Sequence, residues 1–267
     1  MTKKIKNTIL FALSDPQKQS IIALGTLTDG ITEVIIDNEK EMEEKLKKIE
    51  NHNLITFNGV SHDLPLLKIY DFAPKESIDL LSFFRKYPYL QLKNYSMKTL
   101  LEAFELKGES LTIQSLFSLF YKDKDCDKLK VELENHLNLR KELFRVREKL
   151  LNENKIPFTL DRLYHVSVLE LKIKKDILEV KCLSLGNELP GMDYYINNSH
   201  IQSINSEILL IKTSVAKGRI DQDEAYVIQS NLVHDPSLTE NFYAIKRNKD
   251  FLVDSIHQWI ECLLSSI

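Results

Sequence analysis

The chain has 267 residues, 43% hydrophobic and 28% charged, an ordinary globular usage that excludes wholesale disorder or a fibrous protein and fits one large or two modest domains. Seven glycines occur, none in a G-x-G-x-x-G or G-x-x-x-x-G-K-[ST] pattern, so a nucleotide-phosphate loop built on glycine backbone is not expected. The net charge of −3 gives no global attraction to nucleic acid, which is bound through clustered Lys and Arg, so any basic surface must be local.

Lys3, Lys4 and Lys6 precede the apolar run Ile9-Leu10-Phe11-Ala12-Leu13, which stops at Ser14-Asp15-Pro16, too soon for a signal-peptide core. Residues 8–14, 20–27 and 31–36 are rich in β-branched and apolar side chains. Asp15-Pro16 and Thr28-Asp29-Gly30 punctuate them, which predicts a three-stranded antiparallel meander. Over 39–51, Met42, Leu46 and Ile49 recur at helical spacing amid mixed charge, the mark of a helix with one solvated face. A strand at 53–57, a turn at Asn58-Gly59 and a helix from near Ser61 follow.

From about 96 to 155 the apolar residues recur mostly every three or four positions, among them Leu100, Leu101, Phe104, Leu116, Leu129, Leu133, Leu137, Leu143 and Leu150. This predicts helices packed on a core. The polar run with proline at 152–157 is the expected boundary between a domain over 1–152 and a smaller α+β domain over 157–267. Residues 166–183 alternate around Lys174-Lys175-Asp176, a hairpin signal. Further β-like runs lie at 207–213, 224–232 and 242–246, and 250–267 closes the chain with an amphipathic stripe including Ile256, Trp259, Ile260 and Leu263. Cys126, Cys182 and Cys262 are isolated and odd in number, which suits three buried thiols in a reducing cytoplasm better than a disulfide framework. No stretch approaches the roughly 18 apolar residues of a membrane span, so no membrane partner is expected.

The most informative stretch is Leu54-Ile55-Thr56-Phe57-Asn58-Gly59-Val60-Ser61-His62-Asp63-Leu64-Pro65-Leu66-Leu67-Lys68. It resembles the second exonuclease motif of the YprB-type ribonuclease H-like family, a branch of the DEDD 3′–5′ exonuclease superfamily, which reads roughly T-[FY]-N-G-x-S-F-D-x-P-F-L. Ser77-Ile78-Asp79-Leu80-Leu81 with Arg85 is similar to that family's D-L-L segment, and Asn94-Tyr95-Ser96-Met97-Lys98-Thr99-Leu100 to its Y-S-L-K-x-L segment. The likeness covers residues 8 to about 150, while the C-terminal part more weakly resembles appendages of some bacterial members. The resemblance implies a ribonuclease H-like α/β fold, in which three strands, a helix, a fourth strand and further helices follow one another. It also implies phosphodiester hydrolysis by two divalent ions, Mg²⁺ or Mn²⁺, held by four carboxylates. Two metals about 4 Å apart need several anionic oxygens aimed at one point.

This sequence departs from that pattern. The family's F-D-I-E-T falls on Phe11-Ala12-Leu13-Ser14-Asp15, so Ala12 and Ser14 occupy the first two carboxylate positions. Asp15 lies one residue late, on the opposite face of the strand unless a bulge intervenes. The third motif, near H-N-x-x-D, best matches Glu134-Asn135-His136-Leu137-Asn138, which puts Asn138 where the last aspartate belongs. Of four expected ligands Asp63 alone remains, as a residual metal ligand or as an ordinary aspartate at a helix start. Glu134 and Glu142, one turn before and after Asn138, offer substitute carboxylates.

By the same resemblance Asn58, Gly59, Ser61 and Lys98 are the candidate nucleic-acid contacts, although Asn-Gly is also a common turn and Lys98 an ordinary helix-surface lysine. His62 stands where the family has Phe and reads as structural. His136 lies beside the degenerate motif with no assigned catalytic role. The leading expectation is a catalytically degenerate exonuclease-family protein that binds single-stranded nucleic acid or serves as a scaffold. The alternatives are an active divalent-metal exonuclease with relocated carboxylates and a protein–protein interaction module.

Overall fold

The computed structural model describes residues 6–15, 20–230 and 241–267. Lys3, Lys4, Pro16 and the last two residues of the β-like run 224–232 lie outside them. The chain divides into two compact units, Met1–Arg85 with Leu92–Glu148, and Lys86–Gln91 with Lys149–Ile267.

In the first unit, β1 (Asn7–Asp15), β2 (Ser20–Thr28) and β3 (Ile31–Ile36) form the meander the alternation predicts. Helix α1 (Glu39–Ile49) starts at Asn38, whose side chain accepts the Glu41 amide, an N-cap that satisfies a free helix-end donor. Then come β4 (Asn53–Thr56), α2 (Asp63–Leu67), β5 (Glu76–Asp79), α3 (Leu80–Lys86), α4 (Met97–Ala103), α5 (Ile113–Tyr121) and the long α6 (Cys126–Glu153). The sheet order is β3-β2-β1-β4-β5, with β4 and β5 parallel to β1. This is a mixed α/β architecture.

Period-2 alternation gives β1 two apolar faces. Leu10 and Ala12 join Met42, Leu46 and Ile49 of α1 in one buried cluster with Leu24, Leu54 and Leu67. On the opposite face Phe11 stacks on His136 of α6, ring centroids 4.9 Å apart. Gly25 pairs with Phe11 across the sheet, and a Cβ built on Gly25 would lie 3.0 Å from Leu137 Cδ1. The missing side chain lets α6 approach the sheet.

The second unit is mostly antiparallel. Its larger sheet runs β6-β7-β8-β11-β10-β9, from β6 (Lys155–Thr159), β7 (Leu163–Lys174), β8 (Ile177–Ser184), β9 (Asp193–Ile196), β10 (Ser199–Ser203) and β11 (Ile208–Ser214). Its smaller sheet runs β12 (Ala216–Ile220), β13 (Asp223–Ser230), β14 (Asn241–Arg247) and β15 (Asp250–Phe251). Helix α7 (Val253–Leu264) buries Ile256, Trp259, Ile260 and Leu263 in the core of this unit. Of the three thiols expected to be buried only Cys182 is, whereas Cys126 is exposed where α6 begins and Cys262 is half-buried. The β7–β8 hairpin turns on Lys175 and Asp176, both at positive φ, the backbone of a tight two-residue hairpin. The polar run at 152–157 is the end of α6 and the start of β6, where Pro157 sits on the exposed side of an edge strand and withholds no ladder hydrogen bond.

Candidate functional site

Asp63 begins α2 directly beneath β1 and is 1% exposed. Its Oδ1 accepts the Ala12 amide at 2.9 Å, and its Oδ2 lies 3.5 Å from Arg140 Nη1. Arg140, on α6, is 4% exposed. The same Nη1 donates to the Leu10 carbonyl, and the guanidinium carbon lies 4.4 Å from the centroid of the Phe11 ring. A carboxylate, a carbonyl and an aromatic face thus surround one planar cation. Burial pushes the Asp63 carboxyl up, against the pull of the Arg140 charge and the Ala12 amide. Burial also pulls the Arg140 guanidinium down, against the charges of Asp63 and Asp79. Taking either charge alone out of water costs several kcal/mol, so each depends on the other.

Asp79 organises the loop above Asp63. Its Oδ1 accepts the amides of Asn58 at 3.0 Å and Ser82 at 3.2 Å, and its Oδ2 accepts Val60 N at 3.1 Å. The turn itself puts Asn58 at φ 61°, which Asn tolerates better than most residues. Gly59 is required because a Cβ there would come within 2.0 Å of Thr56 Oγ1. The Asn58 and Val60 amides are both committed to Asp79, and Ser61 is exposed beside them. Lys98 is exposed on α4, with Glu102 3.9 Å away. It lines a pocket of about 320 Å³ with Leu101, Leu106, Gly108 and Glu109.

The remaining positions spread out. Ala12 is buried and reaches Asp63 through its backbone only, and Ser14 is half-buried. The bulge falls between Leu13 and Ser14, where Ala23 and Ile21 are the successive partners. The extra residue is therefore Ile22 on β2, and β1 keeps its alternation. Asp15 is buried and takes a hydrogen bond from the Tyr121 hydroxyl. On α6, Glu134 is half-buried, Asn138 is exposed, and Glu142 pairs with Arg145 at 2.7 Å. The helix turns His136 and Arg140 toward β1. His136 Nε2 bonds the Leu111 carbonyl at 3.0 Å, and burial and the neighbouring Arg140 push its pKa down to about 4. His62 is exposed at the start of α2.

Among the described residues no three His, Cys, Asp or Glu side chains converge on a point where they could hold a metal ion. The two divalent ions implied by the resemblance do not fit this donor set. One carboxylate is committed to a guanidinium, and the first-strand positions carry no charge. Arg140 is the residue that motif comparison passes over. Its signal is spacing: it lies seven residues after Leu133 and three before Leu143, at a core position of α6 where a charge demands a buried partner. No helix among the described residues is long and apolar enough to cross a membrane. No protein-family model and no curated protein matches the chain.

Proposed function

We propose that this chain is a ribonuclease H-like, YprB-type protein whose centre no longer cuts, and that its first unit acts by binding single-stranded nucleic acid. Support for the family comes from the motif around Asp63 and from the element order: an antiparallel meander, a helix, a fourth strand parallel to the first, then helices. The observation that carries the loss of cutting is the burial of the motif aspartate against Arg140 and the Ala12 amide. Two-metal hydrolysis needs that carboxylate free and further carboxylates beside it. The groups left for a strand are the side chains of Asn58 and Ser61 and the ammonium of Lys98.

The test is fluorescence anisotropy with labelled single-stranded DNA and RNA across a salt series, alongside a hydrolysis time course in Mg²⁺ and in Mn²⁺. Binding weakens with salt, and Lys98→Glu lowers the slope of log affinity against log salt by about 0.7 for each phosphate left without its counter-charge. The time course stays flat. Cleavage abolished by Asp63→Ala overturns the proposal in favour of a working exonuclease, and failure to bind either strand at low salt leaves a protein–protein module.

A further inference from the structure

We propose that the space beneath β1 is a guanidinium seat, filled permanently by Arg140, so that the chain's own cation, and not a divalent ion, faces Asp63, with Asp63 Oδ2 held by charge at 3.5 Å and without a hydrogen bond. Three observations converge on one planar monovalent cation. Asp63 supplies a single carboxylate 3.5 Å from Nη1. The Leu10 carbonyl accepts from the same nitrogen. The Phe11 ring lies against the group at 4.4 Å, an arrangement that suits a weakly hydrated delocalised cation.

A magnesium ion has the opposite needs. It holds its waters tightly and takes oxygen ligands in an octahedron, usually one or two carboxylates with waters filling the rest. Here an aromatic face and a strand backbone close the sides of the space, and the second carboxylate nearby, Asp79, is engaged by three amides. Arg140 also cannot leave, because it rides on α6 with His136 one turn earlier stacked on the same Phe11 ring. The side chain that faces Asp63 therefore belongs to the core of the unit, and the site is occupied by the chain itself rather than alternating between empty and loaded.

The comparison with a metal rests on the family reading proposed above, whereas the seat rests on the distances alone, and the two fail separately. The experiment follows thermal unfolding of the full chain and calorimetric titration with MnCl₂. Wild type takes up no Mn²⁺ at the site, and its melting temperature is the same in EDTA, Mg²⁺ and Mn²⁺ at matched ionic strength. Arg140→Ala melts lower and recovers by about 3 °C or more in millimolar guanidinium chloride, far below denaturing levels, through preferential binding to the folded state. It does not recover in ammonium or Mg²⁺, and Asp63→Asn combined with Arg140→Ala abolishes the response. Stoichiometric Mn²⁺ uptake by wild type that Asp63→Asn abolishes overturns the proposal, as does recovery of Arg140→Ala by Mg²⁺ in preference to guanidinium. If Arg140→Ala does not fold, the wild-type titration and the same melts on Arg140→Lys decide. The Lys variant must melt below wild type and gain nothing from Mg²⁺, and a Mg²⁺-dependent rise there also overturns the seat. Oligonucleotide binding is read separately, so its failure leaves the seat standing.

Discussion

Asp63 and Arg140 are each nearly excluded from water, so if one is removed the other keeps only lesser partners, the Ala12 amide for Asp63 and the Leu10 carbonyl and the more distant Asp79 charge for Arg140. Asp63→Asn keeps the acceptor for the Ala12 amide but strands the guanidinium, and Arg140→Met strands the carboxylate. Each is expected to cost about 3–5 kcal/mol by urea denaturation. The double variant should cost less than the sum by about 1 kcal/mol or more, because the pair is broken only once. His136 provides a pH signature. Its folded value near 4 lies below the unfolded value of about 6.5, so between those values the unfolded chain binds the extra proton. Its contribution is fully present above pH 6.5 and is lost as pH falls through 4, a decline of about 3 kcal/mol. His136→Phe keeps an aromatic ring on Phe11 and should flatten that slope; an unchanged slope would assign the pH dependence elsewhere.

At the scale of elements, the strands and helices that one segment can define were readable. The meander, α1 and the β7–β8 hairpin follow from alternation, from a 3.6-residue period and from turn residues at short range. The candidate site was readable in part. The motif located the Asn58-Gly59 turn and Asp63, because both depend on neighbours in sequence. Arg140 lies 77 positions after Asp63, and only the docking of α6 on the sheet brings them together. That docking depends on Gly25, whose Cα hydrogen faces Leu137. Gly25→Val should overpack this crossing and cost about 1–3 kcal/mol. Combining it with Leu137→Ala should recover part of the loss, and strictly additive costs would show that the helix does not bear on Gly25. The edge strand β6 was hidden for a different reason: its proline and polar neighbours read as a linker, although a proline on the outer edge costs a sheet nothing.

For the whole molecule, the division into units does not follow the chain. Residues Lys86–Gln91 belong with the second unit, where the Tyr87 hydroxyl donates to the Leu150 carbonyl at 2.8 Å and the Tyr89 hydroxyl meets His257 Nδ1 at 2.8 Å. Tyr87 is fully buried. A fragment ending at residue 152 would keep both tyrosines while losing their surroundings, so it should bind more of a hydrophobic dye and precipitate more readily than the full chain. Limited proteolysis of the full chain should spare 149–153, which are the last turn of α6; an early cut there would contradict this. Synthesis adds a consequence. Tyr89 is made 168 residues before His257, so at about 5–20 residues per second it waits roughly 8–34 s for its partner. Through that interval a strip of the second unit's interior hangs from a first unit already long enough to fold, and this is the stage at which a chaperone would have most to hold.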